Sequence, residues 1–245
     1  MKAFLLAAGK GTRLRPHTDT LPKCLVPIQG KPLLEIWINL LESHGITEVL
    51  VNTHHHAEKV DAFVRSKRPH TKMTIRTVYE PQLLGSAGTV AAHRDFVDEK
   101  DDFLIAYADN LTNMNLSDMI GFHSRCKTRG AILTMGLFRA PDPSACGIAV
   151  LDAEAKITDF TEKPPVPIGN LANGGIYVAS PAFFDYLPDH RNNPADSVFD
   201  FGYQVFPLLL GKMYGYEIKE YLRDIGTLDA YQAALEEWPH HGADL

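Results

Sequence analysis

A glycine-rich segment near the start of the chain carries a concentration of positive charge. In LAAGKGTRLRP an apolar run ends in Gly9-Lys10-Gly11-Thr12-Arg13, and Lys23 follows ten residues after Arg13. A strand that ends in a glycine turn can present several backbone N–H groups to a phosphate. Glycines permit the close approach and the unusual dihedral angles that this requires. The segment therefore predicts a phosphate-binding loop.

Spacing excludes two common nucleotide-binding motifs. The dinucleotide fingerprint needs a third glycine at the position of Leu14, and the P-loop needs Ser or Thr after Lys10, where Gly11 stands. A flexible surface turn with solvated charges remains the alternative. Because Arg13 and Lys23 both lie near the turn, phosphate binding is favoured over that alternative.

The composition narrows the class of protein. The 245 residues carry a formal charge of −6, but residues 1–31 have a balance of +5 and the rest of the chain −11. The acidic total argues against general nucleic-acid binding, and no apolar run is long enough to cross a bilayer. The first ten residues read as a strand and not as a signal peptide. The basic opening segment favours an anionic small ligand.

The three cysteines, Cys24, Cys126 and Cys146, are an odd number without paired spacing. They predict neither a disulfide framework nor a zinc site. A reducing cytoplasm is the simplest setting.

Short apolar runs alternate with helical patterns, which is typical of a mostly parallel sheet flanked by helices. Strands are predicted at KAFLLAA, ITEVLVNT, MTIRTVY, DFLIAYAD and AILTMGLF, and helices at PLLEIWINLLESHG, residues 57–67, SAGTVAAHRDF and LSDMIGFHSRCKTRG. Later segments predict hairpin strands at GIAVLD and KITDFTEKP, a strand at NGGIYVAS, a helix at FDFGYQVFPLLLG, short strands in MYGYEIKEYLRD and a closing helix at TLDAYQAALEEW. We expect one domain over residues 1–245, with a nucleotide-binding half at about 1–138 and, at about 139–245, an insertion-rich half able to close over a second substrate.

Six motifs together resemble a known family. LAAGKGTRLRP followed by LPKCLVPIQGKPLLE closely resembles the signature of sugar-1-phosphate nucleotidylyltransferases, and EPQLLGSAGT, YAD, DFTEKP, NGGIYV and RDIGT follow in the family's order. The resemblance implies a doubly wound α/β, Rossmann-like core with an inserted sugar-binding β region. It also implies transfer of a nucleotidyl group from a nucleoside triphosphate to a sugar 1-phosphate, with pyrophosphate released. Longer members append a left-handed β-helix, which we expect to be absent here.

The resemblance assigns residues to the phosphates of the triphosphate. The implied nucleotide-binding residues are Leu6, Ala8, Gly9, Gly11, Thr12, Arg13, Glu80, Gly85, Ser86 and Asp109. Arg13 would stabilise the leaving pyrophosphate, because its planar fork binds such groups in a bidentate manner. Lys23 would contact the phosphates at the reacting centre as a point charge. Arg13, Lys23 and Lys163 are the implied catalytic residues.

Two aspartates are candidate metal ligands. Asp109 follows the apolar run FLIAYA, so we expect it at the carboxyl end of a parallel strand, where ligands gather. A carboxylate there suits Mg²⁺, the cofactor that the resemblance implies. The family usually has Gly where Ala108 stands. Asp224, in RDIGT, is the second implied ligand, and the alternative is that it caps the helix beginning near Thr227.

The sugar site follows from the resemblance as well. The implied sugar-binding residues are Gly147, Glu162, Lys163, Asn173 and Gly175. Lys163 would meet the phosphate of the sugar. A plain hairpin turn explains Gly174-Gly175 equally well. The residue before Gly147 is commonly Tyr in the family and is Cys146 here, a departure from the family's pattern beside the implied sugar site.

Glu80 lies where the family reads the base. A carboxylate can accept the two adjacent donors on guanine's pairing edge, whereas uracil and thymine suit an amide better. Gly85 and Ser86 resemble guanylyl members, but Gln82 stands two residues from Glu80 and leaves the choice open.

Two clusters receive no catalytic role. The adjacent His54, His55 and His56 lack a partner at metal-ligand spacing and are interpreted as solvated loop histidines. The aromatic cluster in VFDFGYQVF predicts helix packing, either within the chain or against a sister subunit in a homo-oligomer.

The sequence as a whole predicts a cytoplasmic, Mg²⁺-dependent enzyme whose partners are a nucleoside triphosphate and a sugar 1-phosphate, with neither nucleic acid nor membrane. GTP and mannose 1-phosphate, or a similar manno-configured sugar, are favoured. The alternatives are a glucose-1-phosphate thymidylyl- or uridylyltransferase, an enzyme for heptose or amino-sugar phosphates, and a choline-phosphate cytidylyltransferase. A catalytically silent regulatory relative would be expected to lack some of Arg13, Lys23, Asp109, Lys163 and Asp224, and all five are present.

Overall fold

A computed structural model of the chain describes residues 1–188 and 198–238, in two units. Unit 1 comprises Met1–Leu83, Ala106–Asn115 and Glu220–Leu245, and unit 2 comprises Leu84–Ile105 and Leu116–Lys219. The chain therefore leaves unit 1 and returns to it twice. The predicted functional halves on either side of residue 138 stay a prediction.

Unit 1 is built on parallel strands. β1 (Lys2–Leu6) pairs with β4 (Glu48–Thr53), which pairs with β5 (Thr74–Tyr79), both in parallel. The side chains of β1 and β4 are almost continuously buried, as expected of parallel strands covered on both faces. Its helices are α1 (Leu33–Ser43), α2 (Ala57–Lys67) and α5 (Leu228–Glu237). The carboxyl ends of β1, β4 and β5 therefore share one edge.

Short elements fill the connections of unit 1. The segment after β1 forms three single 3₁₀ turns, at Thr12–Leu14, His17–Asp19 and Lys23–Leu25. β2 (Pro27–Ile28) and β3 (Lys31–Pro32) form a small antiparallel pair before α1. The sequence predicted this whole segment as loop, because a single 3₁₀ turn has too few residues to show a hydrophobic period.

A second antiparallel pair joins distant parts of the sequence. β6 (Phe103–Tyr107) ends beside β1, where the Ala108 N–H donates to Leu6 O at 2.9 Å. β7 (Asn110–Thr112) then pairs with β13 (Leu222–Asp224), so that Asn110 lies opposite Asp224. This register brings Asp109 and Asp224 to the same place.

Unit 2 holds a connected group of antiparallel strands. β8 (Leu133–Arg139) pairs antiparallel with β11 (Leu171–Ala179) and parallel with β12 (Met213–Glu217). β9 (Gly147–Leu151) and β10 (Ile157–Glu162) form a hairpin, and β9 also pairs with β11. The helices are α3 (Gly85–Ala92) and α4 (Leu116–Lys127).

The predicted α/β class, a mostly parallel sheet with flanking helices, is confirmed. The hairpin at GIAVLD and KITDFTEKP is confirmed too. The hairpin-turn alternative for Gly174-Gly175 is wrong. Both glycines lie inside β11, where the register with β8 shifts between Asn173 and Tyr177.

The helix predicted at FDFGYQVFPLLLG is only partly correct. The segment forms a π turn at Phe201–Val205 and a 3₁₀ turn at Phe206–Leu209 instead of an α-helix. Pro207 lacks the N–H of a regular helix, which ends the pattern. The predicted aromatic packing is present, since Phe201 and Phe206 are fully buried and stack at 5.7 Å. Tyr203 is 57% exposed.

A buried histidine predicts acid sensitivity of unit 2. His123 on α4 is fully buried, and its Nδ1 lies 2.9 Å from Thr134 Oγ1. Burial lowers the pKa of His123 to about 4. The charge of Lys127 also lowers this pKa, whereas the charge of Asp102 raises it. Because the unfolded chain binds this proton near pH 6.5, stability is complete above that pH and is lost as the pH falls toward 4.

We expect the free energy of unfolding to drop by about 2 kcal/mol from this residue between pH 7 and pH 5. Urea unfolding of the wild-type chain and of His123→Leu at both pH values measures the drop. In His123→Leu the difference between the two pH values should shrink by that amount, whereas His70→Ala, at an exposed histidine, should keep it. An unchanged difference in His123→Leu contradicts the prediction.

In residues 1–188 and 198–238 every helix is too short or too polar to cross a membrane.

Candidate active site

A buried lysine lies between two carboxylates in unit 1. Lys23 Nζ is 2.6 Å from Asp109 Oδ2 and 3.4 Å from Asp224 Oδ1, and the lysine is 7% exposed. A buried ammonium is costly unless it is paired, and these two carboxylates supply the pairing. Lys23, Asp109 and Asp224, which the sequence analysis assigned to one site, therefore lie next to one another in the structure.

Local structure explains how these side chains converge. Lys23 begins the third 3₁₀ turn, Asp109 follows β6, and Asp224 ends β13. The Ile225 N–H donates to Asp109 O at 2.8 Å, which fixes the two aspartate backbones against each other. The capping alternative for Asp224 is wrong, because α5 is capped by Thr227, whose Oγ1 accepts from the Ala230 N–H at 3.2 Å.

Arg13 reaches the same cluster. A Cβ built on Gly226 would lie 2.7 Å from Asp224 Oδ2 and 3.2 Å from Arg13 Nη2. The glycine of RDIGT thus leaves the space that the aspartate and the guanidinium occupy. Arg13 is exposed, so its guanidinium is open to a ligand. The pKa of Asp224 is raised by partial burial and by the charge of Asp109, while Lys23 and Arg13 oppose the rise. The side chain of Asp224 stays 58% exposed, so solvent limits the size of that shift.

The conformation of the glycine turn is fixed at Gly11, against which Thr18 packs. Gly11 has a φ of 62°, in the left-handed region that glycine adopts at little cost. A Cβ at Gly11 would lie 2.8 Å from Thr18 Cγ2, so the close approach of Thr18 also requires glycine. Thr18 Oγ1 donates to Gly11 O at 2.7 Å and is buried. A Cβ at Gly9 would meet nothing within 4 Å, which leaves open space above that part of the turn.

Glu80 is anchored by a residue that the sequence analysis missed. Asn52 Oδ1 accepts from the Ala7 N–H at 2.7 Å, and Asn52 Nδ2 donates to Glu80 Oε1 at 2.9 Å. Glu80 and Asn52 are 3% and 4% exposed. Asn52 ends the apolar run of β4, and a polar residue at the carboxyl end of a buried parallel strand was a signal that could have identified it.

Unit 2 places Glu162 between two glycines. Cβ atoms built on Gly147 and Gly202 would lie 2.6 and 2.4 Å from Glu162 Oε2. Burial raises the pKa of Glu162, Lys163 lowers it and Asp200 raises it. Gly147 and Glu162 are cross-strand neighbours of the β9–β10 hairpin. The structure thus brings together two of the predicted sugar-binding residues.

Lys163, Asn173 and Gly175 also lie in unit 2. Lys163 is exposed, has a φ of 47°, and its N–H donates to Cys146 O at 3.0 Å. Asn173 Oδ1 accepts from the Gly175 N–H at 3.0 Å and from the Tyr177 hydroxyl at 2.9 Å. These bonds fix the irregular section of β11.

Gly85 and Ser86 pack against a segment of unit 2 that the sequence did not link to them. A Cβ at Gly85 would lie 2.4 Å from Phe199 O, so backbone crowding requires glycine there. The Ser86 N–H and hydroxyl donate to Asp200 Oδ1 at 3.2 and 3.3 Å, and Ser86 Oγ accepts from the Phe201 N–H at 2.9 Å. A role of Gly85 and Ser86 in nucleotide binding stays a prediction.

The interpretation of the three histidines as solvated loop residues is only partly correct. All three are half-buried, and a ring nitrogen of each lies near a backbone carbonyl oxygen. His54 Nδ1 is 2.8 Å from Glu80 O, His55 Nε2 is 3.3 Å from Thr18 O, and His56 Nε2 is 3.2 Å from Asp19 O. Sequence reasoning missed this because a side chain bound to a distant carbonyl leaves no spacing pattern.

Comparison with known proteins gives a consistent result. A sequence model of the nucleotidyl transferase family matches residues 2–240. A UTP–glucose-1-phosphate uridylyltransferase of Synechocystis is 32% identical over 96% of this chain and 62% of its own length. A mannose-1-phosphate guanyltransferase beta-A of Xenopus laevis is 28% identical over 99% of this chain and 69% of its own length. The chain thus spans somewhat less than two thirds of the length of the first relative and slightly more than two thirds of the length of the second.

The fold has solved counterparts. A structure of a UDP-glucose pyrophosphorylase complexed with UDP-glucose superimposes with a TM-score of 0.81 at 20% identity, covering 98% of both chains. At that identity the likeness concerns the fold.

Proposed function

This chain belongs to the nucleotidyl transferase family, and on that premise we propose that it is a sugar-1-phosphate nucleotidylyltransferase. It would transfer a nucleotidyl group from a nucleoside triphosphate to a sugar 1-phosphate and release pyrophosphate. The observation that carries the proposal is the placement of Lys23 between Asp109 and Asp224, with Arg13 beside them, next to an open glycine turn.

The reaction is an attack by the sugar phosphate oxygen on the α-phosphorus. One P–O bond forms, the bond to the β-phosphate breaks, and pyrophosphate leaves with the electron pair. Both reactants are anions, so positioning and charge neutralisation supply most of the acceleration. Arg13 is suited to the leaving pyrophosphate and Lys23 to the α-phosphate, and the N–H groups of residues 9–12 would donate to the remaining phosphates.

Unit 2 carries the groups we assign to the sugar. Glu162 offers a partly buried carboxylate as an acceptor for sugar hydroxyls, and Lys163 offers an exposed ammonium for the phosphate of the sugar. Lys163 follows Glu162 directly, so one strand end supplies both groups. Asn173 and Gly175 contribute from β11.

The carboxylates of Asp109 and Asp224 would hold Mg²⁺. They form a hard, anionic oxygen pair, and in the structure a cation, Lys23, already lies within 3.4 Å of both. Mg²⁺ takes few protein carboxylates and completes its octahedron with phosphate oxygens and water. The ion would supply charge neutralisation of the triphosphate.

We propose GTP and mannose 1-phosphate, or a similar manno-configured sugar, as the substrates. Glu80 supports guanine because a carboxylate can accept both adjacent donors on guanine's pairing edge, and the bond that Asn52 donates to Oε1 fixes its orientation. The guanyltransferase from Xenopus laevis is consistent with this choice. The uridylyltransferase from Synechocystis supports the alternative of UTP and glucose 1-phosphate.

Pyrophosphate release tests the proposal. The chain is mixed with Mg²⁺, with each of GTP, UTP, dTTP, CTP and ATP, and with a panel of hexose, heptose and amino-sugar 1-phosphates. We expect one dominant pair, with GTP preferred at least about tenfold over UTP, which corresponds to a difference of one hydrogen bond to a charged group. Pyrophosphate release mainly with UTP or dTTP would overturn the assignment of guanine as the base. It would still support transfer of a nucleotidyl group to a sugar 1-phosphate.

The variant Glu80→Gln sharpens the test of the base. An amide offers one acceptor and one donor in place of two acceptors, so the preference for GTP over UTP should fall about tenfold. Glu58→Gln, at an exposed glutamate of α2, is the matched control and should leave the ratio unchanged. Absence of release with every pair, in a chain that still binds a triphosphate, would favour a regulatory relative.

We also propose a cytoplasmic setting. The three cysteines are free thiols, and burial raises the pKa of Cys24 to about 12, so this thiol stays protonated beside Lys23. Free thiols suit a reducing compartment.

A further inference from the structure

The turn between β4 and α2 donates to three consecutive carbonyl oxygens of the segment that follows the glycine turn. His55 Nε2 lies 3.3 Å from Thr18 O, His56 Nε2 lies 3.2 Å from Asp19 O, and Lys59 Nζ donates to Thr20 O. All of these residues belong to unit 1. Three successive acceptors are thus matched by donors from one turn and the first turn of its helix.

These carbonyls need external donors because of where they lie. His17–Asp19 is a single 3₁₀ turn with an internal bond from the Asp19 N–H to Pro16 O at 3.1 Å. The carbonyls at the end of such a turn have no partner within it. Lys and His side chains are suitable donors for carbonyls at a helix end. Here the donors come from residues 55–59, so the turn is capped from a distant part of the sequence.

The capped segment is connected on both sides to the proposed phosphate site. On one side, Thr18 Oγ1 donates to Gly11 O at 2.7 Å, and Thr18 is buried against Gly11. On the other side, Thr20 precedes Lys23 by three residues, and Lys23 lies between Asp109 and Asp224. Fixing residues 18–20 therefore restricts both the glycine turn and the lysine.

We propose that His55, His56 and Lys59 are positioning residues that hold the glycine turn and Lys23 in the geometry needed to bind a triphosphate. We call these three side chains the carbonyl clamp. The inference rests on the proposed function, because it assigns the clamp to the triphosphate site. A neutral imidazole has one N–H, so the clamp does not depend on protonation of the histidines.

The test uses the full chain in four forms. They are the wild type, His55→Ala with Lys59→Met, His55→Gln with Lys59→Arg, and His70→Ala with Lys72→Met. The second form removes two donors, and the third replaces them with side chains that can still donate. The fourth removes an exposed histidine and an exposed lysine elsewhere in unit 1 and is the matched control. His56 is kept, because its φ of 53° would strain most replacements.

Two measurements are made on each form. Hydrogen exchange is followed in peptides covering residues 11–25, with residues 48–53 and 74–79 as internal references. Dissociation constants are measured for a non-hydrolysable triphosphate, and KM is measured for the sugar 1-phosphate.

We expect exchange in residues 11–25 to become about tenfold faster on loss of two hydrogen bonds, with the reference strands unchanged. The dissociation constant of the triphosphate should rise about tenfold. The KM of the sugar 1-phosphate should stay within about twofold of its wild-type value, because the removed donors bind the carbonyls of Thr18 and Thr20 and no residue assigned to the sugar. The form with Gln and Arg should be close to the wild type in both its exchange rate and its dissociation constant. The control should match the wild type.

Three outcomes would overturn the inference. The first is unchanged exchange in residues 11–25 when the two donors are removed. The second is an equal rise in the reference strands, which would indicate general destabilisation. The third is a form with Gln and Arg that behaves like the form with Ala and Met. If the wild-type chain binds no triphosphate, the proposed function fails, and the exchange measurement still decides whether the clamp holds the segment.

Discussion

Replacing Asp109 by asparagine is expected to lower the rate of pyrophosphate release about a thousandfold, with the fold intact. The amide keeps the shape of the side chain but removes the charge that lies 2.6 Å from Lys23 Nζ. Losing one preorganised charge at the centre of a phosphoryl-type transfer costs on the order of a hundred- to a thousandfold in rate. Lys23 is buried but keeps Asp224 as a partner, so the free energy of unfolding should fall by about 1–3 kcal/mol, the range for a lost hydrogen bond to a charged group.

The measurement is kcat at saturating substrates, together with thermal unfolding followed by circular dichroism. Asp224→Asn should give a comparable loss of rate, because the structure pairs both carboxylates with the same lysine. Asp95→Asn, at an exposed aspartate of unit 2, is the matched control and should keep the wild-type rate. Near-normal turnover in Asp109→Asn would remove this residue from the proposed metal site.

Replacing Lys23 by methionine should reduce both turnover and stability. Turnover should fall on the order of a thousandfold, since the point charge at the reacting phosphate is lost. The free energy of unfolding should fall by about 1–3 kcal/mol, because two neighbouring carboxylates remain without the ammonium that separates them. Lys23 lowers the pKa of Asp224, so in its absence that pKa rises further.

This rise sets the pH dependence of the variant. Protonation relieves the repulsion between Asp109 and Asp224, so the loss of stability should be largest at neutral pH and should shrink as the pH falls through the raised pKa. Unfolding in urea at pH 7 and pH 4 measures the difference. Lys23→Arg keeps the charge and should retain most of the stability, although the guanidinium fits the lysine position poorly and turnover should remain low. Lys100→Met is the exposed control. A loss of stability that is equal at both pH values would indicate lost packing and not lost charge.

The core of the site could be predicted because its residues lie in short motifs. Lys23, Asp109 and Asp224 were identified from three segments of the chain, and the structure places Lys23 within hydrogen-bonding distance of both aspartates. Parallel strands read as continuous apolar runs, so β1, β4 and the carboxylate after β6 follow from the pattern. The pairing of β7 with β13, which aligns the two aspartates, could not be derived from three-residue strands.

Contacts to backbone carbonyls were the main omission. The histidines after β4 showed no metal-ligand spacing and were therefore taken as solvated, yet they bind carbonyls of residues 18, 19 and 80. Such a bond depends on the direction of a distant backbone and not on the identity of the residue that accepts it. Asp200 was missed as the partner of Ser86 for another reason: its side-chain carboxylate accepts from a residue 114 positions away, so no local spacing links the two.

The pairing of β7 with β13 has a consequence for synthesis of the chain. The ribosome synthesises Asp109 more than a hundred residues before Asp224. The carboxylate of Asp224 is positioned only after residues 222–224 have paired with residues 110–112. When residues 1–188 have emerged from the ribosome, the nascent chain contains the glycine turn, Lys23 and Asp109. It still lacks Asp224, the second of the two carboxylates. Such a nascent chain would lack the full arrangement of charges around Lys23 on which the proposed transfer depends. The proposed site is therefore complete only after residues 222–224 have been synthesised and have paired with residues 110–112.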